Sequence, residues 1–300
     1  MDRLVEGQRL EALVFDRLVR AGSDGSESAE SSISPGRLAS WKTAHLMAVE
    51  RSTAFRGVLD EVLELASTRA IPVQLLPATQ LAFFHYPSPE LRPLVDLEIR
   101  VPAEPDEIAQ KLHGALESHG FREIDDLVTA RGGTHLPLLE RDGVTVRVHR
   151  AAVPALASEG SERDAGTSPL LLDAEALVLE LCHEVFARRF SHALLFLHDL
   201  HVVFTSLKPN WEGILGSLAG SSPALETFLT LSVLAKVLGT GLDPEPLRRL
   251  EEAAALSPPR KKLLYELCTT AALEYPASPQ TRDLIEKQII EITSPRALLA

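Results

Sequence analysis

The chain of 300 residues has few cysteines, few aromatic residues and no long apolar run. Its two cysteines, Cys182 and Cys268, lie far apart in helix-like apolar contexts, which predicts buried thiols in a reducing compartment and excludes a disulfide framework. Aromatic residues make up only 5% of the chain, so the core must consist mainly of Leu, Val and Ala. No apolar run approaches the ~20 residues of a membrane span, and residues 1–15 lack the basic-then-apolar pattern of a signal peptide. We therefore expect a cytoplasmic protein with no membrane span.

Basic residues are also in deficit, with 30 Lys and Arg against 42 Asp and Glu and a formal net charge of −12. A general nucleic-acid binder needs a basic surface to neutralise phosphates, so the charge balance argues against that class of protein. It argues equally against binding to an anionic membrane surface. An acidic surface of this kind instead favours a protein partner or a small ligand.

Composition and periodicity divide the chain into three predicted regions. Residues 1–36 comprise an amphipathic helix at 4–19 and a flexible linker rich in Ser, Gly and acid at 22–36. Residues 37–150 form an α/β region, and residues 151–300 form a helical C-terminal domain of about six or seven helices, counted from its Pro and Gly breakers. The N-terminal helix is a candidate arm for docking on a partner protein or for self-association.

The α/β region predicts alternating helices and short strands. Two helices are expected at residues 38–69 and 105–119, the first as one long helix or a helical pair. Asp142-Gly143 is a strong signal for a two-residue hairpin turn. The predicted strands are 73–76, 95–101, 121–130, 136–141 and 144–149.

The segment 86–101, YPSPELRPLVDLEIRV, ends in two acidic residues, Asp96 and Glu98, within an apolar run. Because side chains alternate along a strand, this i, i+2 spacing predicts that both carboxylates lie on the same face. Neighbouring carboxylates repel each other, and burying them without a partner costs free energy. Such a strand is typical of a site for a divalent cation such as Mg²⁺, which takes oxygen ligands and bridges carboxylates to phosphates.

Other short motifs accompany the carboxylates in a fixed order. They are LLPA at 75–78, YPSPELR at 86–92, DLE at 96–98, GF at 120–121, RVH at 147–149, LCH at 181–183 and LHD at 197–199. With this order and spacing, the chain resembles the nucleotidyltransferase superfamily that includes DNA polymerase beta, and more narrowly the bacterial uncharacterised nucleotidyltransferases of family 5. The resemblance covers roughly residues 71–204. It implies an α+β fold, with a small nucleotidyltransferase-like mixed sheet, flanking helices and a helical C-terminal domain.

The resemblance also implies three parts that the family's chemistry requires. These are a Lys-Gly turn whose backbone approaches phosphates, two strand carboxylates that bind metal and a third carboxylate on a neighbouring strand. Here Pro77-Ala78 occupies the place of the phosphate turn, and proline has no N–H to donate. Arg147 stands at the position of the third carboxylate. We predict that Arg147 forms a salt bridge with Asp96 or Glu98 where the metal would lie.

Cationic side chains near this pattern are the candidates for substrate binding: Arg92, Arg147 and His149. Arg92 suits a substrate phosphate, and the alternative is a structural ion pair at the start of the strand. Arg92 and Arg100 are also alternatives to Arg147 for neutralising the carboxylates. In the family pattern His149 lies beside the site, whereas a lone His at a strand end is more often structural.

Two functions remain open from the sequence. In the first, the chain is a nucleotidyltransferase-like pseudoenzyme with a degraded site and a binding or regulatory role, its ligand being a nucleotide or a protein. In the second, it is an active, divergent enzyme that uses Mg²⁺ on the catalytic residues Asp96 and Glu98. That enzyme would move a nucleotidyl group from an NTP to a small-molecule or peptide acceptor.

A second group of polar residues in the helical region invites a metal interpretation. His198 and His201 share a helix face at i, i+3, but no Cys or carboxylate completes a recognised zinc spacing. We therefore favour polar side chains at the interface of the two halves. Cys182 is predicted to be a core thiol, because the adjacent His183 points elsewhere on a helix. The group comprises His183, His192, His198, Asp199 and His201.

Overall fold

The computed structural model describes residues 10–23, 33–102, 106–124, 135–150, 171–190, 193–218, 221–255, 257–273 and 287. The chain divides into two compact units, one comprising Glu11–Asp173 and the other comprising Leu10 together with the described residues from Ala174 onward. The predicted domain boundary at residue 150 precedes residues 151–170, which lie outside the described part, and it stays a prediction. The predicted linker at 22–36 also lies largely outside, since residues 24–32 are not described.

Four α-helices and the 3-10 turn Pro89–Leu91 lie among the described residues of the first unit, and the longest helix confirms the predicted helix at 38–69 as one continuous element. It begins with Pro35 at its first turn, where the missing N–H costs nothing, and buries Phe55, Leu59 and Val62 against the sheet unit's core. The predicted helix at 4–19 is observed from Glu11, and residues 4–9 lie outside the described part. The helices are α1 (Glu11–Ser23), α2 (Pro35–Thr68), α3 (Pro77–Phe84) and α4 (Glu107–Ser118).

Five strands form one mixed sheet in the order β1-β2-β5-β4-β3. The central pair, β2 and β5, is parallel, and the pairs β1–β2, β5–β4 and β4–β3 are antiparallel. Sheet and helices together confirm the predicted α+β class. The strands are β1 (Gln74–Leu75), β2 (Leu97–Arg100), β3 (Arg122–Ile124), β4 (Leu138–Arg141) and β5 (Val144–His149).

The predicted hairpin turn joins β4 to β5. Asp142 and Gly143 have φ of 52° and 79°, the two positive values that a type I′ turn requires. This tight turn fixes the register, with Arg141 opposite Val144 and Leu139 opposite Val146. Because side chains alternate along β5, the register decides which of its residues face the core.

The second unit is helical throughout its described residues. Six α-helices and one π-helical segment follow Ala174, in agreement with the six or seven helices predicted. None of the helices in the described ranges is long and apolar enough to cross a membrane. The elements are α5 (Ala174–Ala187), α6 (Ala193–Val202), the π-helix Val203–Leu207, α7 (Trp211–Ser217), α8 (Ser221–Leu238), α9 (Pro244–Ala253) and α10 (Pro258–Leu273).

Both cysteines are free and buried in helices of this unit, as predicted. Burial raises the pKa of the Cys182 thiol and of the Cys268 thiol above their ordinary values. A thiol rather than a thiolate is a poor nucleophile, so neither side chain is suited to covalent catalysis.

Candidate functional site

The polar face of the β2–β5 pair carries the candidate site. Leu97 and Ile99 of β2 point into the core, so Glu98 and Arg100 point to the opposite face. In the parallel register Glu98 lies opposite Arg147 and Arg100 lies opposite His149. The strand pairing therefore brings together the acidic and basic residues singled out in the sequence.

Asp96 precedes the first residue of β2, and its backbone position is fixed from two sides. The carbonyl of Val95 accepts hydrogen bonds from Arg51 Nη2 at 3.2 Å and from Thr145 Oγ1 at 3.1 Å. One donor comes from α2 and the other from β5. The turn into β2 is thereby tied to both neighbouring elements, and the Asp96 side chain is held beside β5.

Arg147 and Asp96 form the predicted salt bridge. Arg147 Nε donates to Asp96 Oδ2 at 2.9 Å, and Arg147 Nη2 lies 2.8 Å from the same oxygen. The side chains are only 21% and 13% exposed, respectively, so water screens the pair weakly. Arg147 Nε lies 3.9 Å from Glu98 Oε1, which is beyond hydrogen-bonding distance. The guanidinium is thus paired with Asp96 and lies near Glu98.

Burial and neighbouring charges act on Asp96 in opposite directions. Burial and the nearby Glu98 charge both raise the pKa of Asp96, while the Arg147 charge and hydrogen bond lower it. The balance leaves the pKa of Asp96 above its ordinary value. The Arg147 guanidinium thus occupies Asp96 Oδ2, one of the oxygens that a divalent cation between the two carboxylates would use.

Helix α3 holds the backbone of Glu98. The Glu98 N–H donates to Thr79 Oγ1 at 2.9 Å, and the Leu76 N–H donates to the Glu98 carbonyl at 3.1 Å. Pro77 and Ala78, predicted to replace the phosphate turn, form the first turn of this helix, with Pro77 directly after the N-cap Leu76. Proline suits that position because the N–H it lacks would have no partner within the helix.

His149 lies at the end of β5, with Nε2 3.9 Å from Glu98 Oε1. This nitrogen is buried and has no hydrogen-bond partner among the residues that the structure describes. The ring of His135 packs edge-on against the His149 ring with centroids 5.6 Å apart. His149 therefore lies at the site as predicted, and its role stays a prediction.

His135 is a site residue that the sequence analysis missed. It is 4% exposed, and its Nε2 lies 3.0 Å from Arg147 Nη1. The signal was available in the hairpin: extending the pairs Arg141–Val144 and Leu139–Val146 puts residue 135 opposite residue 150. The observed bridge joins His135 to His149, one residue away.

Arg92 is almost completely buried in the turn that precedes Asp96. Its side chain is 4% exposed, and Nη1 donates to the Pro93 carbonyl at 2.8 Å. That contact anchors the turn. Arg100, the other candidate for neutralising the carboxylates, donates from Nη1 to Gln74 Oε1 at 3.1 Å across the β1–β2 pair. Phosphate binding by Arg92 stays a prediction.

A separate cluster of one histidine and two carboxylates lies between α4 and β3. Its members are His113, Glu117 and Glu123, and one possible ligand atom from each lies within 4.8 Å of the other two. The two carboxylates face different ring nitrogens: Glu117 lies 3.7 Å from Nδ1, and Glu123 lies 3.8 Å from Nε2. Nε2 also lies 3.0 Å from the Pro137 carbonyl. The cluster is therefore a buried histidine flanked by two exposed carboxylates.

Histidines of the helical unit have separate partners. His183 Nδ1 lies 2.9 Å from Glu226 Oε2, which joins α5 to α8. His201 Nδ1 lies 2.9 Å from Thr240 Oγ1. The rings of His198 and His201 are 6.1 Å apart, and His192 lies outside the described residues. These hydrogen bonds give His183 and His201 structural roles within the helical unit.

The comparison with protein families agrees with the motifs. Residues 1–239 match the family described as uncharacterised nucleotidyltransferase. Because the match covers more than half of the chain, the protein belongs to this family, and its mixed sheet with flanking helices is consistent with a nucleotidyltransferase-like fold. The chain matches no curated protein and no solved structure.

Proposed function

We propose that this nucleotidyltransferase-fold protein has a degraded catalytic site and acts by binding or regulation rather than by nucleotidyl transfer. The observation that carries the proposal is the position of Arg147, whose guanidinium lies 2.8–2.9 Å from Asp96 Oδ2. A metal-dependent transferase needs both strand carboxylates available to cations that neutralise the developing phosphate charge. In this chain the positively charged Arg147 side chain neutralises Asp96 in place of a metal ion.

The first turn of α3 supports the proposal independently. Phosphate binding at a turn requires backbone N–H groups and a close approach of the main chain. Pro77 supplies no N–H, and helix α3 begins there. Two of the three parts required by the chemistry are therefore altered, and functions that act as a unit fail when one of them is removed.

The bound ligand is either a nucleotide, which the protein does not turn over, or a protein partner. The net charge of −12 favours a protein that carries a basic surface. Helix α1, whose predicted role is docking, offers a second contact region. A cellular assay tests this directly: Asp96→Ala is expected to leave function intact, and deletion of residues 1–36 to abolish it.

Calorimetric titration with ATP, GTP, CTP and UTP, each with and without Mg²⁺, tests the loss of catalysis. The wild type is expected to show no Mg²⁺-dependent binding. Arg147→Glu is expected to gain Mg²⁺ binding, because it restores a third carboxylate and releases Asp96. The matched control is Arg100→Glu, which makes the same charge change on the same sheet face and leaves the Arg147–Asp96 pair in place.

The alternative, an active divergent nucleotidyltransferase, is favoured by one observation. Asp96 and Glu98 lie together beside Arg147, and burial and the Glu98 charge raise the pKa of Asp96; two neighbouring carboxylates attract a cation. Mg²⁺-dependent nucleotide binding by the wild type that Asp96→Ala abolishes would favour this alternative and justify a search for the acceptor. Nucleotidyl transfer to such an acceptor would establish it and end the pseudoenzyme proposal.

A further inference from the structure

We infer that His135 is the positioning residue that holds Arg147 on Asp96, and so keeps the carboxylate pair closed to other cations. This inference rests on the proposed function. It assigns a role to a residue that precedes β4 and forms an isolated β-bridge with His149.

The tautomer of His135 follows from its backbone contact. Nδ1 lies 2.8 Å from the Leu136 carbonyl, an oxygen that only accepts hydrogen bonds, so Nδ1 carries a proton. Nε2 lies 3.0 Å from Arg147 Nη1, which only donates. Nε2 must therefore be unprotonated and accept that bond, and the ring is neutral with its proton on Nδ1.

Arg147 is held from two directions as a result. Nε and Nη2 are directed at Asp96 Oδ2, and Nη1 is directed at His135 Nε2. A planar guanidinium with donors satisfied on two edges has one orientation instead of several. His135 itself is 4% exposed and packs edge-on against His149, so the acceptor cannot move away.

Removing the acceptor has a definite consequence for Arg147. Its Nη1 would be left in a partly buried place without the partner it has now, and a donor on a charged group loses most from that change. The long side chain can then turn toward solvent, which uncovers Asp96. A positively charged His135 would act in the same way, because its Nε2–H would face the guanidinium N–H.

Arginine NMR measures this positioning without reference to metal or nucleotide. In ¹⁵N-labelled protein the Nε–H signal of Arg147, assigned by its disappearance in Arg147→Lys, is expected to exchange slowly with water. In His135→Leu its exchange should accelerate by about tenfold, the loss expected for one hydrogen bond to a charged group. His135→Gln keeps an acceptor oxygen and should retain slow exchange to within about twofold.

His135→Phe serves as the second variant, because it preserves the ring packing on His149 and removes both nitrogens. Backbone amide signals of β2 and β5 report whether each variant keeps the fold. In the wild type, the imidazole ¹⁵N signals must show a protonated Nδ1 and an unprotonated Nε2 at neutral pH. A protonated Nε2, or unchanged Arg147 exchange in folded His135→Leu and His135→Phe, would overturn the inference.

Failure of this inference is distinguishable from failure of the proposed function. If Arg147→Glu gains Mg²⁺ binding while the His135 variants leave Arg147 exchange unchanged, the arginine closes the site without help from His135. If the His135 variants release Arg147 and wild-type protein nevertheless binds Mg²⁺ and nucleotide, His135 positions an arginine that does not block the site. The NMR result thus tests the positioning, and calorimetry tests the function.

Discussion

The two faces of the β2–β5 strand pair differ sharply, although they share one backbone. One face is entirely apolar and contributes to the core of the sheet unit. The other is charged and half-buried, with an Asp–Arg pair at 2.8 Å beside it. The fully buried side chains, each 0% exposed, are Leu97, Ile99, Val146 and Val148.

The fold and the chemistry of this strand pair therefore depend on separate sets of side chains. Burial of the apolar face supplies the free energy that pairs the strands, and it does not depend on the residue at position 147 of the other face. An arginine can therefore stand where the family chemistry requires a carboxylate, and the sheet still forms. Belonging to the family consequently shows the fold of this chain and leaves its activity to be tested at the site.

Truncation of the core face should have the largest effect. Ile99→Ala is expected to lower the free energy of unfolding by about 2–5 kcal/mol, because it removes buried methyl groups and leaves a cavity. Ile99→Val, the graded control, should cost about 0.5–1.5 kcal/mol. Urea denaturation measures both. A larger loss of stability from Glu98→Gln on the polar face than from Ile99→Ala would contradict the view that the apolar face stabilises the strand pair.

Removal of Arg147 should have the next largest effect. Arg147→Gln is expected to lower the free energy of unfolding by about 1–3 kcal/mol, since it leaves Asp96 buried beside Glu98 without its charge partner. The cost should fall when Asp96→Asn is also present. A double-mutant cycle with a coupling below about 0.5 kcal/mol would mean that the pair contributes nothing.

The hairpin turn between β4 and β5 sets the register of β5, which decides which of its side chains lie on each face, and it offers a third test. Gly143 has φ of 79°, and a Cβ there would meet no atom within 4 Å, so Gly143→Ala adds backbone strain without a clash. We expect a loss of about 1 kcal/mol in the free energy of unfolding. Gly36→Ala, at a glycine with equally open surroundings and no positive φ, is the control. Equal stability of the two variants would contradict the type I′ turn.

An exposed ion pair in the helical unit should show the smallest effect. The hydrogen bond that His183 donates to the Glu226 carboxylate raises the pKa of His183 above its ordinary value of 6.5. A raised histidine pKa adds stability below about pH 6.5, and that stability is lost as pH rises through the folded-state value. The melting temperature of the wild type should exceed that of His183→Gln at about pH 5.5 and converge with it at about pH 9.

The His183–Glu226 pair should contribute less to stability than the Arg147–Asp96 pair of the sheet. The side chain of His183 is 58% exposed, so water screens the pair and the shift in melting temperature should be small. Glu226→Gln should remove the same pH dependence. A difference between wild type and His183→Gln that grows toward high pH would contradict the assigned sign.

The parts of the structure that follow local rules were predicted from the sequence. The Asp142-Gly143 turn, the strand at 144–149 and the long helix α2 depend on turn chemistry and periodicity within one segment. The pairing of Arg147 with Asp96 was predicted because the family order placed the two residues on neighbouring strands. The turn, the strand and the helix needed no knowledge of distant contacts, whereas the Arg147–Asp96 pair was predicted from the family resemblance.

Other features depend on contacts that no local pattern encodes. Pro77 was expected to hold the place of a phosphate turn, and the sequence analysis did not predict that it also begins helix α3, whose Thr79 hydroxyl accepts a hydrogen bond from the Glu98 N–H. His135 joins the site because the β4–β5 pairing shifts by one residue beyond the hairpin. Both outcomes are set by tertiary packing.

The most direct test of the central claim is a crystal structure of the wild type grown or soaked with Mn²⁺ and ATP, with anomalous data collected for manganese. The account predicts no manganese peak between Asp96 and Glu98, and an Arg147 guanidinium that remains within hydrogen-bonding distance of Asp96 Oδ2. A manganese peak coordinated by both carboxylates, with Arg147 displaced, would contradict it.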